Sequence, residues 1–187
     1  RADSGALAPL SGLAGDRVLV AHGEKDAVVA ESVAQAAYAL YLALDAGVES
    51  RWDGAGAFAH LWPTRTEGDG CDQSVSPYLG NCGRDFAAEV FLTLFGPTTA
   101  DVASEAGGEV IAFDQSRYAS ERDPLLDDTG FLYRPTQCSE AGRCGLLIAF
   151  HGCEMQAASI GDAFVRGSGL NRWADLHDVV VLYPQTR

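Results

Sequence analysis

Apolar residues fall in short runs along the first hundred positions, and each run has its own period. "RVLVA", Arg17 to Ala21, is rich in Val and Leu with little alternation, which predicts a short strand covered on both faces as in a parallel sheet. Ser32 to Ala46 is rich in Ala and Leu with no breaker before Gly47, which predicts a helix closed by that glycine. "VESRW" alternates apolar and polar positions as a second short strand. The following "GAGAFAHLWPT" reads as a loop, because Gly54, Gly56 and Pro63 interrupt regular structure. Further on, "DFAAEVFLTLFG" sets Phe86, Val90 and Leu94 at helical spacing and stops at Gly96.

The small, polar stretch from Pro97 to Gly108 reads as a surface connector. "EVIAFDQSRY" and "GFLYRP" resemble two strands of a hairpin or meander with "ASERDPLLDDT" as a long turn between them. "GLLIAFHG" predicts a buried strand, "DAFVRGSGLNRWADLHD" a helical stretch weakened by Gly167 and Gly169, and "VVVLYP" another fully apolar strand. Apolar strands separated by helices predict the α/β class, a mostly parallel sheet with helices on both faces. The 187 residues read as one domain with residues 1–96 and 109–187 as two halves about the connector. Repeats and low-complexity segments are absent from the sequence.

Composition narrows the function classes. With 47% hydrophobic and 21% charged residues the chain has a core to bury. No apolar run reaches the length of a spanning helix, and no basic-then-apolar leader precedes Arg1, so the chain is expected to be mature, trimmed or partial. The stop just after "VVVLYP" favours partial. A formal net charge of -13 repels phosphate backbones and anionic lipid surfaces, so neither nucleic acid nor membrane is expected as a partner. Five cysteines lack the paired spacing of a zinc site: Cys71 and Cys82 flank one loop, Cys138 and Cys144 bracket another, and Cys153 stands alone. Two short-loop disulfides and one odd thiol in an oxidising, extracellular compartment are one reading; five reduced thiols in a cytosolic protein are the other.

Open α/β sheets place their chemistry just outside the carboxyl ends of parallel strands. Asp26 follows the first predicted strand and His60 the second. An Asp in that place can fix the tautomer of a His so that its other ring nitrogen takes a proton from a serine. The alternatives are a solvated loop acid and a structural imidazole. The His-Gly-Cys turn after "GLLIAF" offers a third part: a glycine there lets the chain turn sharply, so that the Cys153 N–H can face a developing oxyanion. The Cys153 thiol as nucleophile is the alternative, although no cationic neighbour is evident to activate it, and the His151 side chain reads as structural. A nucleophile is missing. No G-x-S-x-G occurs, and its nearest imitations, at Ser4 and Ser168, lack the strand before and the helix after. The order Asp, His, oxyanion turn differs from the usual hydrolase order, as a circular permutation with the nucleophile strand encoded before residue 1 would make it.

The motifs "AHGEKDAVV", "GAFAHLWPT", "CDQSVSPYLGNCGRDFAAEVFLTLFG", "TGFLYRPTQC" and "LLIAFHGCEMQAASIGDAFVRGSGLNRWADLHDVVVLYPQ" together resemble the extracellular poly(3-hydroxybutyrate) depolymerases of the circularly permuted, single-domain type. The resemblance covers about Arg17 to Gln185. It implies a secreted serine esterase on an α/β-hydrolase fold, with Asp26 and His60 as acid and base and the Cys153 N–H as an oxyanion donor. It further implies no cofactor or metal, a polyester or small ester as substrate, a monomer, and the pairing of Cys71 with Cys82 and of Cys138 with Cys144. The Cys153 sulfur is expected to pair within a later "GCWDW" segment that this sequence does not contain. Departures from the pattern are Met155 where Gln is usual, Leu176 and His177 where polar amides are common, and Trp62 where Phe is frequent. Trp62 reads as a stacking wall for substrate, with core packing as the alternative; Trp173 reads as core and His177 as an exposed helix end. The competing functions are a feruloyl or short-chain acyl esterase of the same fold and a non-catalytic, polymer-binding relative.

Overall fold

The structure, a computed structural model, describes residues 5, 7–44, 47–118, 125–138 and 143–187. They form two compact units, Arg1–His60 and Leu61–Arg187.

The first unit is a strand-helix-strand unit. Strand β1 (Arg17–Gly23) pairs in parallel with β2 (Glu49–Gly56), Arg17 opposite Glu49 and Ala21 opposite Asp53, with an irregularity before Gly23 meets Gly56. Helix α1 (Glu31–Ala43) joins them, built from good helix formers and opened by Glu31, whose charge suits the helix N-terminus. It ends earlier than its composition predicts, and the expected tail at residues 45–46 lies outside the described residues. Strand β2 runs through Gly54 and Gly56, which were expected in a loop: the parallel ladder with β1 supplies the pairing that glycine alone does not favour.

The second unit holds two sheets. A small parallel one has the order β3 (Trp62–Thr64), β5 (Leu79–Asn81), β4 (Asp69–Gly70), where a loop was expected. The larger is mixed. Strands β6 (Glu109–Asp114) and β7 (Thr129–Arg134) form the expected antiparallel pair, β7 lies antiparallel to β9 (Val179–Tyr183), and only β8 (Gly145–Ile148) runs parallel to β9. The sheets are thus only partly parallel. Much of the predicted turn between β6 and β7, residues 119–124, is outside the described residues.

Helix α2 (Phe86–Leu94) appears where the spacing puts it, capped by Asp85, whose side chain accepts from the Ala88 N–H at 3.1 Å. A short helix α3 (Ala157–Ile160) precedes the expected helical stretch, which itself divides into α4 (Ala163–Gly167) and α5 (Leu170–His177), with the break at Gly169 in the left-handed region, φ 81°. Phe91, Ala174, Val181 and Tyr183 are fully buried and centre the core of this unit. Its buried hydroxyls are satisfied. Tyr183 donates to Asn171 Oδ1 at 2.7 Å, and Tyr133 donates to Asp175 and accepts from the Gly108 N–H. The last contact also ties down the end of the predicted connector.

Two expectations about burial fail. Strand β8 is an edge strand in its sheet, with Leu146 58% and Ile148 45% exposed, because no neighbour covers its outer side among the described residues. His177 is no exposed helix end: it packs against Phe91, Phe95 and Trp173, and burial holds its pKa below the usual 6.5. Among the described residues no helix is long and apolar enough to cross a membrane.

Candidate active site

The carboxyl end of β1 is built around a close backbone approach. At Gly23 a Cβ would stand 2.0 Å from the Phe58 carbonyl oxygen, so only glycine fits. The turn beyond it is laced to the end of β2, since Glu24 N–H donates to Gly56 O at 2.8 Å and Lys25 N–H to Phe58 O at 3.1 Å. Phe58 and Ala59 are buried just ahead of His60. These contacts hold the two turns that carry Asp26 and His60. Gly23→Ala is accordingly expected to destabilise the first unit by about 1–3 kcal/mol, the usual cost of overpacking, read as a lower urea midpoint.

Each atom of the Asp26 carboxylate has a partner. Oδ1 accepts from the Val28 and Val29 N–H groups at 2.8 and 2.9 Å, and Oδ2 lies 2.8 Å from His60 Nδ1. The Asp26 side chain is 8% exposed and that of His60 46%. Burial by itself raises the Asp26 pKa, but hydrogen bonds from Val29, His60 and Val28 together outweigh it, and the carboxyl titrates below its usual 3.8. A carboxylate there accepts from Nδ1–H, which leaves Nε2 of a neutral imidazole as the basic nitrogen. The couple has the chemistry of a general base oriented by a buried acid.

Sequence reasoning missed His22. It is 6% exposed, its Nε2–H donates to Val29 O at 2.8 Å, and Asp26 Oδ2 is 3.9 Å away, so it braces the loop that supplies the Asp26 donors. Its signal was the His-Gly pair at the strand end.

In the second unit, Cys153 follows β8 in an exposed turn, its thiol free. The disulfides Cys71–Cys82 and Cys138–Cys144 are formed, which suits an oxidising compartment. Trp62 has the surroundings of a core residue: its indole N–H donates to Ser168 O at 2.9 Å, and its ring meets Phe86 and Phe164 edge-on. Trp173 is anchored by its N–H on the Asp85 carboxylate. Ser168 is 2% exposed, so its hydroxyl is no nucleophile, and Ser4 lies outside the described residues. Met155 is buried beneath the Cys153 turn. Among the described residues no group of three or more His, Cys, Asp or Glu could hold a metal ion.

No family model matches the chain. It is 38% identical over 130 residues to a polyhydroxybutyrate depolymerase of Talaromyces funiculosus, covering 67% of this chain and 38% of the relative. It is 30% identical over 188 residues to a poly(3-hydroxybutyrate) depolymerase of Delftia acidovorans, covering 99% of this chain and 38% of the relative. Its structure aligns with the crystal structure of the PHB depolymerase from Penicillium funiculosum at a TM-score of 0.86 and 30% identity, over 97% of this chain and 57% of that one. The chain belongs to the polyhydroxybutyrate depolymerase family. A further solved PHB depolymerase, a serine-to-alanine variant complexed with an R3HB trimer, aligns at a TM-score of 0.86 and 31% identity. The chain spans 38% of the length of the two depolymerases matched by sequence and 57% of the solved ones.

Proposed function

We propose that this chain is the part of a secreted, serine-type carboxylic-ester hydrolase acting on poly(3-hydroxybutyrate) or its oligomers that supplies the acid, the base and one oxyanion donor. The observation that carries the reading is the 2.8 Å contact between Asp26 Oδ2 and His60 Nδ1, with the other carboxylate oxygen held by two backbone N–H groups. In this reading the nucleophilic serine comes from the part of the protein outside these 187 residues. The chain has no G-x-S-x-G and spans 57% of the solved relatives, and a serine-to-alanine variant of one of them is complexed with an R3HB trimer.

The serine gives its proton to His60 Nε2 as its oxygen attacks the ester carbonyl, and Asp26 stabilises the imidazolium. In this reading the Cys153 N–H donates to the oxyanion. His60 returns the proton to the departing hydroxybutyrate oxygen, and water repeats the cycle on the acyl-enzyme. The order Asp26, His60, Cys153 supports an α/β-hydrolase fold in permuted order, with residues 1–187 as one incomplete catalytic domain. The two disulfides support an extracellular location. A monomer without a cofactor suffices for this chemistry.

The full-length protein is expected to hydrolyse a 3-hydroxybutyrate trimer ester faster than a feruloyl ester, and His60→Ala is expected to abolish that turnover. The 187-residue chain alone is expected to take no label from a fluorophosphonate probe. Faster feruloyl hydrolysis would move the substrate assignment to the related esterases. Unchanged turnover in His60→Ala would end the triad reading, and binding of the polymer without turnover would leave a binding module.

A further inference from the structure

The turn after β8 contains an imidazole that the hydrolytic mechanism does not use. His151 Nε2 lies 3.2 Å from the backbone N–H of Thr186, with Thr186 Oγ1 at 3.3 Å. A backbone N–H can only donate, so Nε2 is an acceptor and the proton of the neutral ring sits on Nδ1. Nδ1 is 2.8 Å from the Gly152 carbonyl oxygen and donates to it. The same oxygen accepts from the Met155 N–H at 3.2 Å.

The Gly152 carbonyl and the Cys153 N–H belong to one planar trans peptide, so they point in opposite directions. Holding the oxygen therefore aims the amide. Among the described residues nothing accepts from the N–H of the exposed Cys153. The next residue, Glu154, sits at φ 60°, where a side chain is disfavoured, and the Tyr78 hydroxyl donates to its carboxylate at 2.6 Å. The peptide is thus held at its oxygen by His151 and Met155 and downstream by Tyr78.

We propose that His151 is a positioning residue for the oxyanion donor: its Nδ1–H fixes the Gly152–Cys153 peptide so that the Cys153 N–H meets the developing charge. This rests on the reading of that N–H as an oxyanion donor. The shape of the backbone alone does not fix the peptide, because Gly152, with no Cβ, tolerates either orientation of the plane that follows it. The imidazole removes that freedom, and the Thr186 N–H keeps its tautomer from reversing.

The test is carried out in the full-length protein with a 3-hydroxybutyrate trimer ester. An oxyanion donor is worth about 10²–10³ in kcat, so His151→Phe, which loosens the donor without deleting it, is expected to lower kcat about 10- to 100-fold. KM is expected to stay within about threefold, because the loss falls on the transition state. His151→Asn can place an amide N–H near the Nδ1 position and is expected to recover most of the rate; His151→Asp, of the same shape but with acceptors only, is expected to recover none. Unchanged kcat in His151→Phe, or equal rates for the Asn and Asp variants, overturns the proposal. The Asn and Asp pair also carries the test if the Phe variant does not fold. His60→Ala in the same assay separates this inference from the hydrolase reading. If that variant still turns over, the parent reading falls, and the carbonyl 13C shift of Gly152 decides for His151 alone: upfield movement in His151→Phe supports the clamp and no movement overturns it.

Discussion

Asp26→Asn in the full-length protein is expected to lower kcat about 10⁴-fold with little change in KM, measured on a soluble 3-hydroxybutyrate oligomer. The direction follows from who holds which oxygen. Val28 and Val29 N–H both claim the Oδ1 position, so an asparagine keeps its carbonyl oxygen there and turns its NH2 toward His60. Facing a donor, Nδ1 must accept, the ring proton moves to Nε2, and the nitrogen that should take the serine proton is already occupied. The same substitution has a signature in stability. Because the folded state holds the Asp26 pKa below 3.8, its ionised form adds stability that is fully present above that pH and is lost as pH falls through the folded value. The variant carries no such group, so the gap between wild type and variant is expected to shrink in urea unfolding as pH drops below about 4. A loss of less than tenfold in kcat would mean that Asp26 does not set the tautomer.

Phe91→Ala is expected to destabilise the second unit by about 3–5 kcal/mol, the range for removing a buried aromatic ring. Phe91 is fully buried, stacks on Phe95 at 5.2 Å between centroids and lies 5.4 Å from His177. Its removal leaves a hole that the rigid sheet behind it cannot close. It also admits water to the imidazole. In the wild type the depressed pKa of His177 gives stability that is complete above pH 6.5 and falls away as pH drops through the folded value. That slope is expected to flatten in the variant. A destabilisation below about 1 kcal/mol would show that the packing around α2 does not hold the unit together.

What the sequence disclosed follows from the range of the forces involved. Strand β1, helix α1, helix α2 and the β6–β7 pair are set by local periodicity and end at glycines or turn residues, so they are legible without a neighbour. The placement of Asp26 and His60 after β1 and β2 was legible for the same reason, and their 2.8 Å contact follows once those strands are parallel. The small β3–β5–β4 sheet was not, because strands of two or three residues containing Gly and Pro have no period to detect. The setting of His177 depends on Phe91 and Phe95 from a distant helix, and nothing within "WADLHD" announces it. The tautomer of His151 depends on Thr186, which arrives from beyond β9. Apolar composition also overstated burial in β8, since Leu146 and Ile148 are covered only if something lies over them.

That uncovered strand sets how the chain behaves at high concentration. With Leu146, Ile148 and the 76% exposed Phe150 along a flank whose main-chain groups have no ladder partner among the described residues, β8 is a template on which a second copy can add its own strand. The net charge of -13 keeps copies apart only while salt is low, because added ions screen that repulsion and leave the greasy seam intact. Solubility of the isolated chain is therefore a matter of ionic strength, and a single lysine at position 146 is the gatekeeper that would protect it.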